Sequence, residues 1–267
     1  MKKILNLFAL LLIGFCLLSA PEAAQAQFNY NYSSNIWVNS GMNQIFQKRW
    51  TVARMRDAGK NELADAMEGR KTNNGQQVGN QKASSAENVL RRVPLSQTSF
   101  KASPVKIMPL VLVAATFDAP KEQRDILVEA SKEILNNYEQ MLIEQKETRL
   151  KNNVAGAAAF AIIMSRSILT EGGNLSEAQS EAVLQDINAL LASSDKFKQM
   201  SDIEKQKLYE TLIITTGFAA MFYEQGKDEN NAEKVKQGKD LAKTILSQFF
   251  DRPIDEIRFT EQGVEFN

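Results

Sequence analysis

The chain has 267 residues, and its 32 basic side chains are balanced by 32 acidic ones, so no net charge attracts nucleic acid or an anionic membrane. It contains no histidine and one cysteine, which excludes a Ser-His-Asp triad, a Cys-His pair and the usual zinc, copper and haem sites. Composition therefore predicts no metal ion and no cofactor. Any acid–base chemistry would need a carboxylate, tyrosine or lysine with a strongly shifted pKa.

Residues 1–26 have the pattern of a bacterial export signal. A basic start precedes an apolar run at 4–18, and the triplet at 24–26 has the small-x-small form of a cleavage site. We predict cleavage after Ala26 and a mature protein in the periplasm or outside the cell. No stable membrane span is expected after cleavage, because a span needs about 20 apolar residues. Cys16 follows Phe15 instead of the small residue that precedes a lipidated cysteine, so lipidation is not expected.

Residues 27–69 are predicted to form a flexible N-terminal arm followed by a helix. In the arm, "FNYNY" alternates aromatic and polar residues, which would place the aromatic side chains on one side of an extended strand. The arm either adds to the sheet edge of a partner or is a frayed terminus. From 41 to 67 the spacing is helical, with apolar positions at Met42, Ile45, Phe46, Val52, Met55, Leu63 and Met67.

Residues 70–103 are rich in polar residues and glycine and show neither helical nor strand periodicity, which is typical of a linker. The next stretch, 105–117, is nearly all apolar and contains Pro109. It is either a buried strand or a short helix, and its length does not distinguish the two. We place the start of the helical domain, 104–267, at the end of this linker.

Between Pro120 and Pro253 the chain contains no proline, and its apolar spacing is helical. We predict five helices, beginning at about 118, 151, 176, 201 and 231, the first of which runs to about 150. Two begin with capping boxes, Ser176-x-x-Gln179 and Ser201-x-x-Glu204. After Pro253 the alternating tail predicts a small hairpin or one edge strand. The predicted fold is mainly α, an antiparallel bundle of about five helices with a short C-terminal hairpin.

Two stretches, 154–164 and 208–222, are apolar on all sides and are therefore predicted to lie in the middle of the bundle. In the first stretch alanine and glycine predominate, so neighbouring helix axes can approach to the close end of the usual range of about 8–10 Å. Its uncharged part spans about 16 Å of helix, half of a bilayer core. We therefore expect it to pack against other helices of its own chain.

Three stretches resemble a family of exported, mostly helical bacterial proteins known only as a domain of unknown function. They are "NNVAGAAAF", "QKLYETLIITTGFAAMFYEQG" and "FTEQGVEF", within a resemblance that covers about residues 100–267. The matching positions are Gln206, Tyr209, Glu210, Thr260 and Gly263. The family pattern has Asn-Asp where this chain has Asn152 and Asn153, and the missing carboxylate weakens any catalytic role there. The resemblance implies export and a helical fold, and it assigns no activity.

Four polar residues are candidate binding residues. Asn153 precedes the alanine-rich helix, where it either caps the helix or binds a ligand. Tyr209 and Glu210 lie where a polar first turn becomes an apolar helix, a position that also suits a structural role. Arg166 follows the uncharged run. Because a buried arginine needs a carboxylate, we expect it to pair with Glu210.

Three functions remain open from the sequence. The first is a non-catalytic binding or structural protein of the cell envelope, whose partner is an unknown protein or envelope component. The second is a cell-wall hydrolase that uses the carboxylates of Glu210 and Glu171, since glycosidases need no histidine. The third is a carrier of an apolar ligand in a cavity between the helices, although large apolar residues normally form the core.

Overall fold

The computed structural model of the chain describes residues 93–115, 120–250 and 252–266. The predicted export signal, the arm, the helix at 41–67 and most of the predicted linker lie outside these ranges. The sequence interpretations of those segments therefore stay predictions.

Seven α-helices, three short 3-10 helices and one hairpin make up the regular structure of the described ranges. The helices are α1 Ile107–Ala115, α2 Lys121–Glu144, α3 Val154–Leu169, α4 Glu177–Ser193, α5 Asp195–Gln199, α6 Asp202–Asp228 and α7 Ala232–Phe249. Strands β1 Ile257–Thr260 and β2 Gly263–Phe266 pair antiparallel, with Ile257 opposite Phe266. The mainly helical fold and the hairpin are confirmed, and the five predicted helices correspond to α2, α3, α4, α6 and α7.

The ends of these helices follow from local side-chain chemistry. Both predicted capping boxes form, at the starts of α4 and α6. Helix α2 ends six residues before the predicted end at Leu150, because Lys146 adopts a left-handed backbone with φ of 60°. A short 3-10 turn, Thr148–Leu150, then leads back toward α3. A reversal of this kind leaves the apolar spacing intact, which is why the sequence pattern does not show it.

The apolar stretch 105–117, left open between strand and helix, contains helix α1. Pro109 is its third residue, where the backbone N–H has no partner within the helix, so proline costs no hydrogen bond there. The N–H groups of the first two residues, Ile107 and Met108, bind the carboxylate of Glu210. The start of α1 is thus fixed by a residue about 100 positions away, which local sequence cannot indicate.

Helix α6 lies at the centre of the fold and packs against α1, α2, α3 and α7, while α4 covers α3 and the hairpin lies on α4. Residues 154–162 of α3, except Phe160, are buried, and so are residues 208–223 of α6. The prediction that these two stretches pack inside the bundle is confirmed. Leu150 covers Gly156, where a Cβ would lie 3.0 Å from the Leu150 Cβ. Within the described ranges, no helix is both long and apolar enough to cross a membrane.

Residues 93–108, which we call the strap, lie against the bundle. Thr98 is fully buried and Phe100 is 8% exposed, with its ring edge-on to the ring of Tyr209. The Phe100 N–H donates to the carbonyl of Asn152 at 3.0 Å. Packed structure therefore begins before residue 104, the boundary that the sequence analysis places, because two side chains of the polar stretch belong to the core.

Candidate functional site

Asn153 holds the first part of the strap. Its Oδ1 accepts the N–H of Gly156 at 2.8 Å, so Asn153 is the N-cap of α3. Its Nδ2 points the other way and donates to the carbonyl of Leu95 at 2.7 Å. The side chain is fully buried, and both of its polar atoms are used within the chain. The structure gives Asn153 the capping role and adds a second role in binding the strap.

Asn188 makes a second attachment that the sequence analysis missed. Its Oδ1 accepts the hydroxyl of Thr98 at 2.7 Å, and its Nδ2 donates to the carbonyl of Val93 at 2.7 Å. Asn188 lies in the middle of α4 between the buried Ile187 and Ala189. The sequence did contain a signal for this attachment, namely a polar residue inside an apolar stretch of a helix. Such a residue indicates a hydrogen-bonded contact, since buried amides are almost always hydrogen-bonded.

Gln206 and Glu210, one turn apart on α6, hold the second part of the strap. Gln206 accepts the N–H of Ser103 at 2.7 Å and donates to the carbonyl of Val105 at 2.9 Å. It also donates to Oε1 of Glu210 at 2.7 Å. The other carboxylate oxygen of Glu210 accepts the N–H groups of Ile107 at 2.8 Å and Met108 at 2.7 Å. We call Asn153, Asn188, Gln206 and Glu210 the clamp.

Glu210 is the one ionisable member of the clamp and is 1% exposed. Burial raises its pKa, and the N–H of Met108, the amide of Gln206 and the N–H of Ile107 oppose that rise. Both carboxylate oxygens bind donors of the chain itself. The arrangement suits a helix cap, in which a carboxylate binds the free N–H groups at the start of α1.

Tyr209 packs inside the core beside the clamp. Its ring lies 5.3 Å from that of Phe100 and 6.0 Å from that of Tyr138, both edge-to-face. The hydroxyl is buried near the backbone of Asn152 without a well-formed hydrogen bond. Burial raises the pKa of Tyr209 above its ordinary value. The residue contributes aromatic packing that holds Phe100 of the strap.

Arg166 lies far from Glu210, and the predicted pairing of the two is wrong. It follows Asn153 by 13 residues on α3, which is about 20 Å along the helix. Its guanidinium donates to the carbonyl of Gly173 and lies over the ring of Phe259, 5.5 Å from the centroid. Burial lowers the pKa of Arg166. A carbonyl and an aromatic face take the place of the expected carboxylate, because the side chain is only partly buried.

Glu171, the second carboxylate proposed for hydrolysis, lies just beyond the end of α3 and pairs with Lys239 at 2.7 Å. Glu210 lies near the start of the same helix, as its neighbour Tyr209 is close to Asn152. The length of α3 separates the two ends by about 24 Å. Paired carboxylates of glycosidases are about 5–9.5 Å apart. The structure therefore does not bring Glu171 and Glu210 into a hydrolytic site.

One comparison with known proteins supports the resemblance to a domain of unknown function and does not bear on export. Residues 2–267, nearly the whole chain, match one protein family. The chain belongs to DUF6683, a family of unknown function. No curated protein and no solved structure matches it. Membership of DUF6683 assigns no activity, so the roles of its residues have to come from the geometry.

In this member of DUF6683, the polar positions that match the family pattern have structural roles. Gln206 and Glu210 bind the strap. Asn153, which stands where the pattern has Asp, joins the strap to the start of α3. Thr260 and Gly263 form the turn of the hairpin, where the Thr260 hydroxyl accepts the N–H of Gln262 at 3.1 Å and Gly263 has φ of 129°. Across the three described ranges, no three or more carboxylate, imidazole or thiol side chains are grouped to hold a metal ion.

Proposed function

We propose that this DUF6683 protein is an exported, non-catalytic binding or structural protein of the bacterial cell envelope. The observation that supports the proposal is the clamp. The side chains whose chemistry could act on a substrate, above all Glu210 and Asn153, use their polar atoms for hydrogen bonds within the protein. These bonds join them to the strap and to the start of α3. Within the clamp itself, the carboxylate and the amide groups all have hydrogen-bond partners in the chain.

The clamp also suggests what the bundle does. Four side chains on or next to three helices fix the strap, and a fully satisfied buried polar network makes a rigid, unique arrangement. The strap directly follows the predicted arm and linker in the chain. We therefore propose that the bundle is a rigid base and that residues 27–40 are the part that binds a partner, by adding an extended strand to it.

Export can be tested on the full chain with a C-terminal tag, expressed in a bacterium. We expect the tagged protein outside the cytoplasm with Gln27 as its first residue, because the triplet at 24–26 fits a signal peptidase. N-terminal sequencing and fractionation measure this. The matched control carries Ala24→Lys and Ala26→Lys, which should keep the signal attached. An uncut wild-type chain in the cytoplasm would contradict the proposal.

The binding role of the arm can be tested with envelope extracts. We expect a protein retained by the tagged mature chain to be lost when residues 27–40 are deleted, since an added strand binds through its backbone. The control is a deletion of equal length in the polar stretch, residues 70–83, which should retain the same protein. Mass spectrometry of the retained fractions is the measurement. Equal retention by both deletions would show that the arm is not the binding part.

A further inference from the structure

We propose that the acidic stretch 57–68 of this same chain docks on an exposed apolar patch beside the strap. This inference goes beyond the proposed envelope role, since it concerns a contact within one molecule. The patch consists of the large apolar side chains that the described ranges leave exposed. They are Val105, Leu110, Ile143 and Ile203, whose exposed fractions are 52, 58, 54 and 56%. The largest exposed apolar patch on a monomer is often functional.

The contacts of the clamp bring these side chains together. The carbonyl of Val105 accepts a hydrogen bond from Gln206, and Ile203 lies three residues before Gln206 on the same side of α6. Lys106 pairs with Glu139, and Ile143 lies one turn beyond Glu139 on α2. Leu110 lies in the first turn of α1, four residues after Lys106. The four residues therefore surround the end of the strap.

The size of the patch favours an occupant from the same chain. Four half-exposed aliphatic side chains offer a few hundred Å², well below the roughly 800 Å² that each partner buries in a stable complex. A second molecule would also lose translational and rotational freedom on binding. A tethered segment avoids most of that cost, because its effective concentration is in the millimolar range for a short flexible connection.

Charge selects the stretch 57–68 within the N-terminal region. The three stretches that carry the patch and its surroundings, 101–106, 139–151 and 202–207, contain seven basic and five acidic residues. Residues 57–68 contain four acidic residues and one lysine, whereas residues 41–56 contain four basic residues and no acidic one. Leu63 and Met67, one helical turn apart by sequence, supply the apolar side chains that would meet the patch.

The connection between the two regions is long enough. The described structure begins at Val93, and the strap from there to Val105 spans at most about 40 Å even if it were fully extended. Residues 69–92 are polar by sequence, and 24 residues can span at most about 80 Å. This part of the chain is therefore long enough to join the stretch 57–68 to the patch.

Cross-linking in the full chain tests the proposal. Cys16 is the single cysteine, so a background of Cys16→Ser leaves only introduced thiols. With a short bismaleimide, Leu63→Cys combined with Ile203→Cys should give a within-chain product. We expect at least about fivefold more of it than from the control, Leu63→Cys with Lys236→Cys, given the tethered concentration. Lys236 is exposed and lies near the start of α7.

Two further measurements keep the outcome decisive. Ile203→Asp should remove the cross-link between Leu63→Cys and Val105→Cys, because it places a carboxylate in the apolar patch. Raising the salt concentration should weaken the cross-link, because exposed charges are screened. Equal products from the pair with Ile203→Cys and the pair with Lys236→Cys would overturn the proposal. So would a cross-linked dimer without a within-chain product, which would assign the patch to a second copy.

Discussion

Replacing Glu210 with alanine is expected to lower the free energy of unfolding by about 2–4 kcal/mol. The substitution leaves the N–H groups of Ile107 and Met108 and the amide of Gln206 without their acceptor. A buried donor without a partner costs about 1–3 kcal/mol. Burying the carboxylate itself costs free energy, as its raised pKa indicates, and the substitution removes that cost. The loss of stability therefore stays below the sum of the separate costs. Urea denaturation followed by circular dichroism measures the change.

A matched substitution separates this effect from the loss of any glutamate. Glu261 lies exposed at the tip of the hairpin, so Glu261→Ala should change stability by less than about 0.5 kcal/mol. Glu210→Gln should give an intermediate loss, because its amide group would face the amide of Gln206, which also donates. A Glu210→Ala protein as stable as the wild type would show that the carboxylate does not hold α1.

Replacing Gly238 with alanine is expected to destabilise the protein by about 2–3 kcal/mol. A Cβ at this position would lie 2.6 Å from the backbone N of Tyr223 and 2.8 Å from the carbonyl oxygen of Ala219. Both atoms belong to the backbone of α6, so relief requires α7 to move away from the central helix. That movement outweighs the gain of about 1 kcal/mol that alanine brings to a helix. Thermal and urea unfolding provide the measurement.

Gly156 offers a control in the same kind of position, inside a buried helix. A Cβ there would lie 3.0 Å from the Cβ and 3.3 Å from the Cδ2 of Leu150, which is partly buried in a short 3-10 turn and needs to shift only slightly. Gly156→Ala should therefore be close to neutral, since the better helix propensity of alanine offsets the contact. If Gly238→Ala were as well tolerated as Gly156→Ala, the close approach of α6 and α7 would not be required.

The parts of the fold that depend on local chemistry could be predicted from the sequence. Ser176 and Ser201 begin helices as their capping boxes indicate, and the last α-helix ends at Phe249, before Pro253. The two apolar helices are buried because no other arrangement removes all their sides from water. The hairpin at 257–266 follows from strand alternation around a turn.

The candidate site depended on contacts between distant parts of the chain, and the sequence indicated it only in part. Asn153 was correctly placed at the start of α3, but its second contact, with Leu95, spans 58 residues. The partner expected for Glu210 was a charged side chain, whereas its actual partners are backbone N–H groups, which every sequence contains. Backbone partners carry no residue-specific signal, so Arg166 was paired with the wrong group.

The strap has a consequence for the order in which the chain can assemble during synthesis. Ser103 and Ile107 leave the ribosome 103 residues before Gln206 and Glu210, their respective partners. At about 5–20 residues per second, that interval is roughly 5–20 s. During this time the apolar helix α1 has no central helix to cover it. The start of α1 can therefore take its final place only after α6 has been made.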